Sequence, residues 1–225
     1  MRYIDYTIDV GGLEKRIGVL GENHIYNDKD VMFASQIMPS YDILLREGNN
    51  NAESSLLFRL VAFMSLPLYL AYSFASDRSF LNPSVKDIAE ELGKEIRWLD
   101  YDMAKSYPII NQAMIFLVST MSIFRAPFIY KDIKTNGDTL TPGTKNYEKY
   151  MFGQMKGYNN FFEKLDLFKS NVYGRDSYYY GQLSSLLKED ANNILVSVGD
   201  AHYLGIISRL NNEYEILKIN QFMVF

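Results

Sequence analysis

An α/β fold is predicted, with a central, mostly parallel sheet flanked by helices and topped by an apolar helical cap. Three observations carry it. Apolar strand-like runs alternate with segments of helical periodicity along the whole chain. An early and a late strand each run straight into Gly-x-x-His, as Gly21-Glu22-Asn23-His24 and Gly199-Asp200-Ala201-His202. Apolar residues make up 48 % of the 225 positions and charged residues 22 %, enough for one substantial core, so residues 1–225 are read as a single domain.

The elements follow in order. Residues 2–9 read as a strand, Gly11-Gly12 as a tight turn and residues 15–20 as a second strand. Residues 28–38 form a short helix, and residues 41–46 an apolar strand that ends at Glu47 and gives way to a loop over 48–51. Residues 53–75 are long, apolar and helical in type, with Pro67 interrupting them. Residues 83–92 are amphipathic, with Val85, Ile88, Ala89 and Leu92 on one face and Gly93 in the cap position. A strand over 95–99 ends at Asp100, with Asp102 two residues on. Residues 111–124 are another apolar helix, closed by Arg125, and residues 135–145 are the clearest loop. An aromatic-rich helix is predicted over 147–168. The next, over 175–188, turns Tyr179, Leu183, Leu186 and Leu187 inward. A buried strand over 193–198 leads through Gly199 to His202, then a helix to residue 210 and a final strand over 214–219.

Several function classes drop out on composition. There is no cysteine, so disulfides, thiolate metal sites and cysteine nucleophiles are excluded. The net charge of −4 comes from 23 basic and 27 acidic residues that are well mixed, and no basic block suggests a nucleic-acid partner. The opening residues alternate charged and apolar and do not read as a signal peptide; with no C-terminal anchor either, a cytoplasmic location is expected. The uncharged stretches 60–75 and 109–124 fall short of a typical span of about 20 residues. They are read as buried or groove-lining helices, with membrane contact not favoured. Helices of this kind also suit a dimer interface, which keeps homo-oligomerisation open.

The two histidines are the only ones in the chain, and each follows a strand end by way of a glycine. In open α/β sheets that edge is where ligands bind. Glycine permits a sharp exit from the strand, and the N–H groups of a following helix add positive potential. Carboxylates fall at the same edge: Glu47 after one strand, Asp100 and Asp102 after another. Two imidazoles and a carboxylate make a set suited to a divalent transition metal, with His24, Glu47 and His202 as ligands and manganese, cobalt or zinc as the ion. Such an ion acidifies bound water and polarises a carbonyl. Without it, a histidine can serve as general base on water. No Gly-x-Ser-x-Gly elbow supports a serine nucleophile.

Residues 21–24, the strand from Asp42 to Glu47, residues 89–103 with Ile-Arg-Trp-Leu-Asp-Tyr-Asp, the pair Arg175-Asp176, and residues 198–206 (Val-Gly-Asp-Ala-His-Tyr-Leu-Gly-Ile) occur in that order. In that order they resemble the motifs of the TraB/PrgY/Tiki family, within the broader group of erythromycin esterases and ChaN-like proteins. The Glu22 that follows Gly21 is closer to the ChaN and esterase side, a resemblance that adds it to the expected site. Residues 48–51 hold no arginine where family members place one. The resemblance implies a metal-dependent hydrolase acting on peptide bonds, with Glu22, Glu47 and Arg175 as catalytic residues. Arg175 stays protonated, so it would hold a substrate carboxylate or a developing oxyanion rather than act as a base. Two alternatives stand beside it. One is a protein that binds and sequesters a peptide or small hydrophobic ligand between the helices 56–75 and 109–128. The other is a metal-free esterase with His24 as base, oriented by Glu22 or Glu47.

Overall fold

A computed structural model describes residues 1–22, 26–48, 56–79, 81–99, 109–137, 174–189 and 191–224. The predicted helix over 147–168, His24, Asp100 and Asp102 lie outside the described residues. Six strands form one sheet: β1 (Arg2–Val10), β2 (Leu13–Glu22), β3 (Ile43–Arg46), β4 (Glu95–Trp98), β5 (Asn193–Gly199) and β6 (Glu215–Val224). Their spatial order is β4-β3-β5-β2-β1-β6. The pairs β4/β3, β3/β5 and β5/β2 are parallel, while β1 runs against both β2 and β6. Five strands therefore point one way and β1 alone is reversed.

The hairpin at one side of the sheet has a local cause. Val10 pairs with Leu13, so the connection is Gly11-Gly12, and both adopt positive φ, 64° and 89°. That is the conformation a two-residue turn between twisted strands requires, and glycine enters it without strain. The late strand β5 then inserts between β2 and β3, with Val19 opposite Val196 and Leu45 opposite the same Val196 on the other side.

Among the described residues there are six α-helices, four of them packed on the sheet. Helices α1 (Asp28–Ile37) and α3 (Val85–Glu91) pack Phe33, Ala34, Ile37, Val85, Ile88 and Ala89 on one face, against Leu20, Leu44 and Leu195. Both start on a capping box, Asn27 with Asp30 and Ser84 with Asp87. On the opposite face, α5 (Gly174–Leu187) and α6 (Asp200–Glu213) pack Tyr179, Leu183, Leu187, Tyr203, Ile206 and Leu210 against Ile43, Leu45, Val196 and Val198. The central strands are thus buried on both faces. That is why they read as near-continuous apolar runs rather than alternating ones. The inward positions expected on α5 are all buried; on α3 they hold for Val85, Ile88 and Ala89 only. Leu92 lies just past the helix end and is 45 % exposed.

The remaining two helices, α2 (Leu56–Ala75) and α4 (Ile109–Asn136), follow strands β3 and β4 in the chain and pack on one another through Tyr72, Ile129 and Ile133, flanked by Leu68, Tyr69 and Ala75. These are the apolar cap. As expected, α2 runs through Pro67 to Ala75, since the face carrying Leu68, Tyr72 and Ala75 continues to pack on α4 past the missing N–H. One expectation is corrected: Arg125 does not close α4, because Ala126, Ile129 and Ile133 extend the buried stripe. The helix reaches Asn136, inside the predicted loop, and Gly137 at φ 86° follows it. Among the described residues no helix is long and apolar enough to cross a membrane.

Candidate active site

Glu47 directly follows β3, whose Ile43 and Leu45 face α5 and α6. Strand alternation sends the next odd position, Glu47, to that same side. Two helices begin there. Arg175 and Asp176 stand in the first turn of α5, and His202 in the first turn of α6. The helix α6 starts at Asp200, so His202 is carried on the helix and not on the loop before it. Two helix starts at one point supply exposed N–H groups and a positive potential, which suits a carboxylate.

Glu47 sits where that potential converges. Its Oε1 accepts a 2.6 Å bond from Nη2 of Arg175, and its Oε2 accepts from the backbone N–H of Gly199, at the junction of β5 and α6. Nη2 of Arg175 also donates to the hydroxyl of Tyr179, one turn along α5, and its guanidinium lies over that ring. His202 as a residue is 4 % exposed. Its Nδ1 is 2.5 Å from Oδ1 of Asp176, its Nε2 faces Oε1 of Glu47 at 3.8 Å, and the Tyr179 ring meets it edge-on, with centroids 5.2 Å apart. The structure therefore brings together three of the predicted site residues, Glu47, Arg175 and His202.

Glu22 is placed on the other face of the sheet. It ends β2 two positions after Leu20, so it points toward α1 and α3. It is 1 % exposed, accepts a 2.9 Å bond from the Ser197 hydroxyl and another from Tyr26, and lies 3.7 Å from Nε of Arg46. Those partners come from neighbouring strands and the start of α1, so Glu22 is held as a buried, bonded carboxylate. Burial, reinforced by the negative charge of Glu22, drives the Tyr26 hydroxyl well above its ordinary pKa, so it stays a donor.

Asp176 was paired with Arg175 in the motif but received no role from the sequence. Its partner is set by how α5 packs on α6, a contact between segments 26 positions apart. The one sequence signal that could have found it is the spacing Gly199, His202, Gly205, which leaves a bare position one turn beyond the histidine. A Cβ on Gly205 would stand 2.7 Å from Cγ of Asp176, so the bare glycine is the room the carboxylate occupies.

Whether these groups suit a metal turns on their free lone pairs. A histidine ligand characteristically gives its second ring N–H to a carboxylate, as His202 does to Asp176, leaving Nε2 as donor. Glu47 faces that nitrogen across a gap too wide for a hydrogen bond. These are two donors of the types a divalent transition ion takes, short of a full set. Among the described residues no group of three His, Cys, Asp or Glu could hold one, and the third expected ligand, His24, lies outside them. Arg175 shares the Glu47 oxygen that faces His202, which lowers the charge Glu47 offers to an ion.

No family model matches the chain, and neither a curated protein nor a solved structure matches it.

Proposed function

We propose that this chain is a hydrolase of the TraB/Tiki type acting on peptide bonds, with His202 and Glu47 handling the attacking water and Arg175 the developing negative charge. The observation that carries this reading is the line Asp176, His202, Glu47, Arg175, joined at 2.5, 3.8 and 2.6 Å at the C-terminal edge of the parallel strands. Ligands bind at that edge in open α/β sheets, and every member of the line has a role in hydrolysis. Asp176 fixes the ring. His202 presents Nε2 to the edge. Glu47 supplies a carboxylate beside it. Arg175 cannot take a proton, so it stabilises an oxyanion.

His202 and Glu47, with His24 as the third ligand that the resemblance implies, would hold a divalent transition metal; when bound it would acidify water and polarise the scissile carbonyl. The test is metal analysis and anomalous scattering on protein incubated with manganese, cobalt or zinc, together with cleavage of a peptide library before and after chelation. Uptake of one ion per chain, lost in His202→Ala, with chelator-sensitive cleavage, supports the reading. Protein that takes up no ion and cleaves no peptide overturns it.

One observation favours a metal-free variant of the same chemistry. Arg175 already neutralises the Glu47 oxygen nearest His202, and a charge-assisted bond of this kind is worth about 1.5–3 kcal/mol. His202, oriented by Asp176, would then act as general base on water attacking an ester. Ester hydrolysis that resists chelator and falls with His202→Ala selects this variant.

A further inference from the structure

We propose that Asp176 is the positioning residue of His202, and that Gly205 is the gap in α6 through which it acts. Together they hold the ring in the tautomer that carries its proton on Nδ1 and leaves the Nε2 lone pair facing Glu47. Because His202 is the group put to work in the proposed hydrolase, this deepens that function by naming what arms it.

The argument is geometric. A neutral imidazole donates from one nitrogen and accepts at the other, and which is which is set by the bond the ring makes. A carboxylate only accepts, so Oδ1 of Asp176 at 2.5 Å from Nδ1 places the proton there. The pair is buried, with side-chain exposures of 6 % and 5 %, so water does not compete for either group. The second oxygen of Asp176 is directed at Gly205, three residues beyond His202 on α6. Any side chain at 205 would meet the carboxylate, with the first added carbon 2.7 Å from its Cγ. Asp176 is hemmed in beyond that point too, since Nη1 of Arg209 lies 4.0 Å from Oδ2 while bonding the Gly205 carbonyl at 3.1 Å. Helix α6 thus carries the histidine and, one turn on, the empty space that lets α5 reach it. Glycine is among the poorest residues for a helix interior, so local helix preference alone would not place it there.

The experiment reads the ring directly and needs neither substrate nor metal. The full chain is labelled with ¹⁵N-histidine and treated with chelator; with two histidines present, His202→Gln assigns the signals. Long-range ¹H–¹⁵N spectra then report which nitrogen of His202 is protonated. The wild type is expected almost wholly in the Nδ1–H form. Asp176→Leu should move most of the population to Nε2–H, and Asp176→Asn, whose amide oxygen still accepts, should keep Nδ1–H. Gly205→Ala should mimic Asp176→Leu although neither partner has changed, and it remains informative if Asp176→Leu fails to fold. A wild-type ring in the Nε2–H form overturns the proposal, as does a Gly205→Ala protein that keeps Nδ1–H. A protein that hydrolyses nothing but shows the expected tautomers overturns the function and leaves this assignment standing; active protein with the opposite tautomer does the reverse.

Discussion

Arg175 and Glu47 are 128 positions apart in the chain and 2.6 Å apart in space. The bond ties the first turn of α5 to the end of β3, and the second oxygen of Glu47 ties β3 to the junction of β5 and α6. Glu47 is therefore both a candidate working group and the clasp that holds the edge of the sheet to two helices.

A double-mutant cycle on Glu47→Gln and Arg175→Met should give a coupling energy of about 1.5–3 kcal/mol, the range for a bond to a charged group. Both side chains are largely shielded, with exposures of 12 % and 17 %, so the value should change little with salt. Urea denaturation of the four proteins measures it. A coupling indistinguishable from zero would show that the contact is not maintained in solution.

Gly18→Ala should destabilise the sheet by about 1–3 kcal/mol, the usual cost of forcing extra volume into a packed core. The added carbon would lie 2.6 Å from Cζ of Tyr41 and 2.9 Å from Cδ1 of Leu195. Tyr41 cannot retreat without loss, because its hydroxyl is 2.5 Å from that of Tyr3 and the ring is fully buried. Thermal unfolding should show the drop, and trimming the ring with Tyr41→Leu in the same chain should return part of it.

Ser84→Ala removes the cap of α3 and should cost about 1 kcal/mol at neutral pH. Burial alone would raise the Asp87 carboxyl, but its bonds to the Ser84 backbone N–H and hydroxyl outweigh this and hold it below 3.8. A carboxylate lowered on folding contributes stability that is present above the unfolded pKa and is lost as pH falls through the folded value. The gap between wild type and Ser84→Ala should therefore be widest near neutrality and narrow well below pH 3.8. Urea midpoints across that window test it.

Tyr72→Ala should open the cap without unfolding the sheet. Tyr72 is 3 % exposed and packs on Ile129 and Ile133, in a cluster separate from the two that hold the sheet. Truncating a buried aromatic costs about 3–5 kcal/mol. Amide exchange in α2 and α4 should quicken by about a hundredfold or more, while β2 and β5 keep their protection. Equal acceleration in both would mean that cap and sheet unfold as one unit.

These tests rest on features of unequal visibility in the sequence. The buried parallel strands were legible because a strand covered on both faces needs apolar residues at nearly every position, as residues 194–198 show. Glu47 and Arg175 were legible as charged residues placed where a strand stops or a helix starts. The placement of Glu22 depended on where β2 ends. Once the strand is seen to run through Glu22, period-two alternation puts it beside Leu20 and across the sheet from Glu47. The length of α4 was not legible, since an arginine is a local signal while the packing that overrides it joins segments far apart in sequence. Asp176 was hidden for the same reason: its role exists only when α5 lies against α6.

The position of β5 in the sheet has a consequence for the order in which the molecule comes together. As the chain leaves the ribosome, β2 and β3 exist for some 150 residues before the strand that must lie between them, and until then neither has a parallel neighbour on its inner side. When β5 arrives it brings Gly199 and His202 with it, within a few residues of its end. Closing the gap between β2 and β3 and bringing His202 to Glu47 thus fall at the same step of synthesis, with only β6 left to pair at the far edge.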